Sequence, residues 1–380
     1  MRIALLTTGI YPYVTGGMQK HSYYLAKYLA KHGVYIDLYH SVPYDQALEK
    51  RLEGYTEEEL KYINNYCFQL KKPAKYPGHY ILESYNTSKI FYEALLENQK
   101  VDFIYAQGFS GWYCAKQKLK GAKLPPIGVN FHGLEMFQKA PSLRVKLEQY
   151  LFHFPVKRVN QLSDYTFSLG GKLTDILQRI VVNPKKVIVI PIGISETWLN
   201  IHELTTNKVG QIRKFVFIGR YERRKGIEEL TKVIVKLLPD YKFEFHFIGP
   251  IPDEQKIRSE SIVYHGLVKE EHKIQAILQT TDVLVSPSYA EGMPTVILEA
   301  MASGCAIIAT DVGAVCEEVN EDNGWLIPLG NENSLKNAII EAIQSSEQDI
   351  QIKKENSIRK IKENFLWDNI VLRTIKEIHA

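Results

Sequence analysis

The sequence predicts an α/β protein of two doubly wound, parallel-sheet domains, and three observations carry that expectation. Short β-branched runs, apolar throughout, alternate with amphipathic stretches of helical period. The alternation halts at a polar segment, 196–211, and then begins again. The chain has 380 residues, too many for one ordinary core and suited to two domains of about 150–200 each.

Taken in order, residues 3–7 are a continuous apolar run and read as a buried first strand. The run of about six apolar residues is shorter than a secretory core needs, and no small-residue cleavage site follows. A loop with Gly16-Gly17 then leads into a helix over 18–31. Further strands are expected at 34–39, 103–105, 127–130, 165–168 and 187–190, with helices at 84–98 and 143–162. In the second half the strands fall at 214–218, 243–248, 282–285 and 306–308. Helices are expected at 226–238 and 294–303, and a helical end runs from 331. Strands apolar on both sides belong in sheets covered by helices on both faces. The pattern therefore sets a first domain at 1–195 and a second from 196 onward, facing each other across a cleft.

Composition narrows the function classes. Hydrophobic residues make up 45% and charged residues 24%, as in ordinary soluble proteins. Cys67, Cys114, Cys305 and Cys316 form no C-x-x-C pair, so neither a disulfide framework nor a zinc site is expected, and the cytoplasm is the expected location. No stretch approaches the roughly 18 apolar residues of a membrane span. Residues 1–200 hold 25 Lys/Arg against 16 Asp/Glu, whereas 201–380 hold 22 against 27. The basic half suits an anionic membrane surface or a phosphate-bearing acceptor, and the expectation is one of these rather than nucleic acid.

Ligands of open parallel sheets bind beyond the carboxyl ends of the strands, so the loops after strands hold the candidate residues. The first is Glu291-Gly292-Met293-Pro294-Thr295, which leads into a helix carrying Glu299. Pro294 suits a first helical turn, where its missing N–H costs nothing. The neighbouring backbone donors and the positive helix end make an anion site. The two carboxylates lie on either side of it, placed to accept from sugar or ribose hydroxyls. The second is Gly219-Arg220, followed by Arg223, Arg224, Lys225 and Gly226. Arg220 and Lys225 can meet phosphate oxygens, the one as a planar fork and the other as a point charge, with Arg223 and Arg224 as competitors. The third is Gly16-Gly17, where glycine opens torsions closed to other residues and lets a ligand reach the main chain. The fourth is His132, with Gly133 and Glu135, at another strand end; a histidine there can bond a substrate hydroxyl. There is no D-x-D triplet to grip a metal, no G-x-S-x-G elbow and no phosphate-binding P-loop, so phosphate charge falls to Arg, Lys and helix ends.

Assembled, these segments resemble glycosyltransferase family 4, the retaining transferases of the GT-B fold, over nearly the whole chain. Glu291 to Glu299 is similar to its E-x7-E element, and Gly219-Arg220 with Lys225-Gly226 to its G-R-x4-K-G clamp. Gly16-Gly17 is similar to its glycine loop, His132-Gly133 to its histidine loop, and 189–193 to its V-I-P-x-G segment. The late 364–368 run is similar to the aromatic segment that precedes a helix returning to the first domain, which implies that a C-terminal helix at about 365–380 completes the first domain and leaves the second at 196–364. One departure is Ile192-Gly193-Ile194-Ser195, where the family usually shows Asn-Gly-Val-Asp. The resemblance implies a donor such as a UDP- or GDP-sugar, no cofactor or metal, and a glycan or lipid-linked acceptor. It implies Arg220 and Lys225 on the leaving diphosphate, Glu299 on the ribose, Glu291 on the sugar hydroxyls and His132 near the reacting face. Backbone around Gly17, Gly292 and Met293 would add donors, and His265, Gly266 and Leu267 would meet the base through their main chain. A sugar-nucleotide epimerase and a non-catalytic binder of sugar nucleotides are the alternatives on the same fold.

Overall fold

The computed structural model describes residues 1–45, 52–70, 78–140, 142–199 and 212–379. It divides into two compact units. One comprises 1–137, 147–193 and 367–380; the other comprises 138–146 and 194–366. Relative to the sequence expectation the division falls two residues earlier, and the short 138–146 stretch groups with the second unit.

The first unit holds a seven-stranded parallel sheet: β1 Arg2–Thr7, β2 Tyr35–Val42, β3 Ile63–Gln69, β4 Phe103–Gln107, β5 Ile127–Asn130, β6 Tyr165–Ser168 and β7 Val187–Val189, in the order β3-β2-β1-β4-β5-β6-β7. The second holds six: β8 Arg213–Ile218, β9 Phe243–Ile248, β10 Ile262–Gly266, β11 Val283–Ser286, β12 Ala306–Thr310 and β13 Gly324–Ile327, in the order β10-β9-β8-β11-β12-β13. Every pairing between these strands is parallel. Strand order reverses between β1 and β4 and again between β8 and β11, and such switch points leave a crevice where two loops diverge.

The sequence expectation omits β3, β10 and β13. All three lie at sheet edges. An edge strand is covered less completely than a central one, so Ile-Asn-Asn-Tyr-Cys-Phe-Gln can pair in β3 without a continuous apolar run. Of the polar 196–211 segment, Glu196–Leu199 forms a 3₁₀ turn; residues 200–211 lie outside the described residues.

The second sheet is anchored by a buried charge cluster. Asp282, just before β11, accepts from the Lys214 amide at 2.9 Å and pairs with Lys354 at 3.4 Å. Arg213 lies 3.8 Å from Asp282 and 3.1 Å from Glu347. Asp282, Lys354 and Arg213 are all buried. Charges so far from water persist only when matched.

The last helix, Trp367–His379, completes the first unit. Trp367 is buried and stacks on Tyr24 and Tyr28, with centroids 5.9 and 6.1 Å away. Asp368 takes bonds from Lys31 and His32 at 2.9 Å each. A side chain at Gly193, the one residue of its four-residue segment that keeps to the family pattern, would bring a Cβ within 2.6 Å of the Trp367 ring, so the segment sits beside the returning helix. Among the described residues no helix is long and apolar enough to cross a membrane, and none of the four cysteines forms a disulfide.

Candidate active site

In the second unit the switch-point loops are stitched together. After β8, Gly219 leads into a turn at Arg223–Lys225, and Gly226, at φ 67°, opens the helix Ile227–Leu237. A Cβ on Gly226 would sit 2.0 Å from the Pro287 carbonyl oxygen, so only glycine lets this turn press against the loop after β11. There the Tyr289 amide donates to Arg224 O at 2.7 Å, and Arg224 donates to Ala290 O at 3.0 Å. The contact carries Lys225 to Glu291: Nζ to Oε1 is 2.7 Å, with Arg224 3.4 Å from Oε2. Glu291 is 6% exposed. One buried carboxylate thus faces two cations, and their combined charge leaves a positive balance.

The four candidate cations separate by their partners. Arg223 forks onto Glu229 at 2.8 and 2.6 Å and lies 4.6 Å over the Tyr289 ring, whose hydroxyl also donates to Glu229 at 2.9 Å. It is engaged in holding the turn. Arg224 holds the opposite loop through both its carbonyl and its guanidinium. The Arg220 side chain is 72% exposed and pairs with Glu222 at 3.0 Å, and Lys225 holds Glu291. Arg223 differs from the other three in that both arms of its guanidinium fork are taken by Glu229.

The helix over Thr295–Ala302 begins without a side-chain cap. Pro294 is its N-cap and not, as expected, part of its first turn; at φ −74°, ψ 110° it is still extended while its carbonyl accepts from Ile297 at 2.9 Å. Gly292 accepts from Ala314 at 2.8 Å, Met293 is buried, and Thr295 and Glu299 are partly exposed. On β10, His265 bonds His246 at 2.8 Å, and His246 bonds Glu244 at 2.6 Å. Burial, and then His246, push the His265 pKa down. Gly266, at φ 66°, accepts from the Gly249 amide at 2.8 Å, and Leu267 is exposed.

In the first unit, Gly16 and Gly17 do not adopt torsions reserved for glycine. Gly16 is extended, at φ 169°, and Gly17 opens the helix Gly17–Lys31. What glycine supplies at 17 is space, since a Cβ there would meet nothing within 4 Å. His132 and, two residues on, Leu134 are strained, both at positive φ. His132 follows β5 in the left-handed region, at φ 49°, where a non-glycine residue needs local support. Asn130 Oδ1 accepts from its amide at 3.0 Å, and the ring Nε2 bonds Gln107 Oε1, at the end of adjacent β4, at 2.7 Å. The His21 ring meets it edge-on at 4.6 Å. Burial holds the His132 pKa down at about 4, so the imidazole is neutral at physiological pH.

Sequence reasoning misses Gln107 and His21, and also a cavity of about 320 Å³ beyond β1 and β4, lined mainly by Met18, Tyr80, Phe109, Phe131 and Phe152. Glu135 reaches its wall. Its only sequence trace is the aromatic residue one or two places beyond each strand end, Phe109 and Phe131.

Residues 15–198 match the model for Glycosyltransferase Family 4, and residues 212–345 match that for Glycosyl transferases group 1. The chain belongs to glycosyltransferase family 4. An uncharacterised glycosyltransferase of Methanocaldococcus jannaschii is 25% identical over 97% of this transferase and 95% of its own length. The UDP-Gal:alpha-D-GlcNAc-diphosphoundecaprenol alpha-1,3-galactosyltransferase of Escherichia coli is 27% identical over 74% and 75%. Among solved structures, sucrose-phosphate synthase from Thermosynechococcus elongatus superposes with a TM-score of 0.77 at 19% identity, covering 100% of this chain and 98% of that one. The lipopolysaccharide outer core galactosyltransferase WaaB superposes at 0.69 and 16%, covering 99% of each. These likenesses place the transferase in the GT-B fold.

Proposed function

We propose that this glycosyltransferase moves a hexose-type sugar from a nucleoside-diphosphate sugar to a hydroxyl of a glycan or lipid-linked glycan. In this reading the anomeric configuration is retained, no metal is used, and the enzyme works at the inner face of the cytoplasmic membrane in surface-polysaccharide or glycoconjugate synthesis. The observation that carries it is the pair Lys225 and Arg224 on buried Glu291, beside a helix start without a side-chain cap. A diphosphate in that setting draws Lys225 and Arg220 as its charge rises on leaving, which is when preorganised cations contribute most. Glu291 and Glu299 then accept from donor hydroxyls, and neutral His132 offers an uncharged hydrogen-bonding edge to the sugar. The anomeric C–O bond to phosphate breaks, the acceptor oxygen bonds the same face, and its proton passes to the departing phosphate oxygen. The E. coli relative, by its name, takes UDP-Gal and a diphosphoundecaprenol-linked acceptor, which supports a lipid-linked acceptor here. Titration calorimetry with a panel of nucleotide sugars, followed by slow donor hydrolysis, tests the reading. Heat with one donor and release of its nucleoside diphosphate are expected. Well-folded protein that takes up none of them would refute it.

A further inference from the structure

One face of the helix Leu143–Leu162 packs inward, where Phe152 and Val156 help to line the cavity described above. Its other face is apolar and uncovered. Leu147, Tyr150, Leu151 and Phe154 are 74%, 72%, 52% and 75% exposed. At 3.6 residues per turn these four fall within a sector of roughly 100°. The stripe begins one turn earlier on the same helix, at Leu143, which is 80% exposed. Lys157 and Arg158 continue it, and Arg144 and Lys146 flank its start, all four exposed. Glu148 is the one acidic residue on the helix. Large side chains exposed in this concentration do not occur on a soluble surface by default.

We propose that this face is a docking surface for an anionic phospholipid bilayer. The helix lies in the interfacial plane with Leu147, Tyr150, Leu151 and Phe154 among the acyl chains and Lys157 and Arg158 at the phosphates. Charge selects the occupant. A two-fold dimer through this stripe would set the cations of one copy against those of the other, whereas an anionic lipid surface neutralises them. The inference deepens the membrane-face location proposed above by naming the surface, and it needs neither donor nor acceptor.

The test is flotation of the full chain with vesicles of phosphatidylglycerol and phosphatidylcholine, against vesicles of phosphatidylcholine alone. Binding at least tenfold tighter to the anionic vesicles is expected, weakening in high salt. Two double variants, Leu147→Ser with Phe154→Ser and Lys157→Glu with Arg158→Glu, should each lose at least tenfold. Both should keep the wild-type melting temperature, since the substituted side chains are exposed. No flotation, equal binding to both vesicles, or variants that float like wild type would overturn the surface. A wild-type dimer made monomeric by the serine pair would assign it to self-association instead. Vesicle binding is read without nucleotide sugar, so failure of the donor reading and failure of this surface give separate results.

Discussion

Replacing Arg223 and Lys225 with methionine, one at a time, separates two cations that share a single turn. Arg223 makes two charge-assisted bonds to Glu229 and covers the Tyr289 ring. Its removal leaves Glu229, whose side chain is 16% exposed, with the Tyr289 hydroxyl alone among those partners. Charged hydrogen bonds contribute about 1.5–3 kcal/mol each, less where water screens them. Arg223 is itself about a third exposed, so a loss of about 2 kcal/mol of stability is expected, with kcat within a few-fold of wild type. Lys225→Met leaves Arg224 on Glu291, which limits the stability loss to about 1 kcal/mol. It removes a charge from the developing diphosphate, and by analogy with one lost oxyanion donor kcat should fall on the order of 10²-fold. Thermal denaturation and donor turnover measured on the same preparations read both effects. If Arg223→Met abolished turnover at an unchanged melting temperature, or Lys225→Met stayed within threefold of wild-type kcat, the assignment of roles would be wrong.

Other perturbations follow from the same geometry. Asp282→Asn leaves Lys354 buried without its carboxylate and should cost about 3–5 kcal/mol in chemical denaturation; a loss under 1 kcal/mol would contradict the cluster's role. Glu318 is fully buried, and neither of its carboxylate oxygens has a hydrogen-bond partner among the described residues. Burial, reinforced by Glu291, raises its pKa well above the carboxylate range. The folded state therefore binds the extra proton, and this residue's contribution is lost as pH rises. Relative to wild type, Glu318→Gln should gain up to about 1.4 kcal/mol per pH unit above the usual carboxylate pKa, and a difference independent of pH would refute this. His132 has the opposite sign: its folded pKa of about 4 means that stability present above about pH 6.5 declines toward pH 4. Its NMR titration should show no midpoint near 6.5. Excess EDTA should leave transfer intact, and a complete loss restored by manganese would contradict the metal-free reading.

How much was legible in advance depended on how each element is held. Strands β5, β6 and β9 fall on their expected bounds because nearly every residue in them is buried, whichever face it points to, which favours short runs rich in apolar and β-forming residues. β3, β10 and β13 escape notice at the sheet edges, where the chain tolerates Asn, Gln, His and Gly. Pro294 fits an N-cap and a first turn equally well by composition, so the helix start is misplaced by one residue. In the candidate site, residue types were readable but pairings were not. Lys225 and Glu291 lie 66 positions apart. Arg223 and Glu229 lie six apart across a left-handed glycine, a spacing that matches no helical pair. The bond from His132 to Gln107 depends on the register of β4 against β5, which periodicity leaves undetermined.

The return of residues from 367 onward to the first unit bears on the order of events at the ribosome. Domains ordinarily fold as they emerge, N-terminal first. Here the half synthesised first must wait with Tyr24 and Tyr28 bare until the other half has been made and Trp367 arrives to cover them. A stop codon near position 366 would therefore harm the beginning of the protein more than its end, leaving a sticky aromatic face for chaperones to shield.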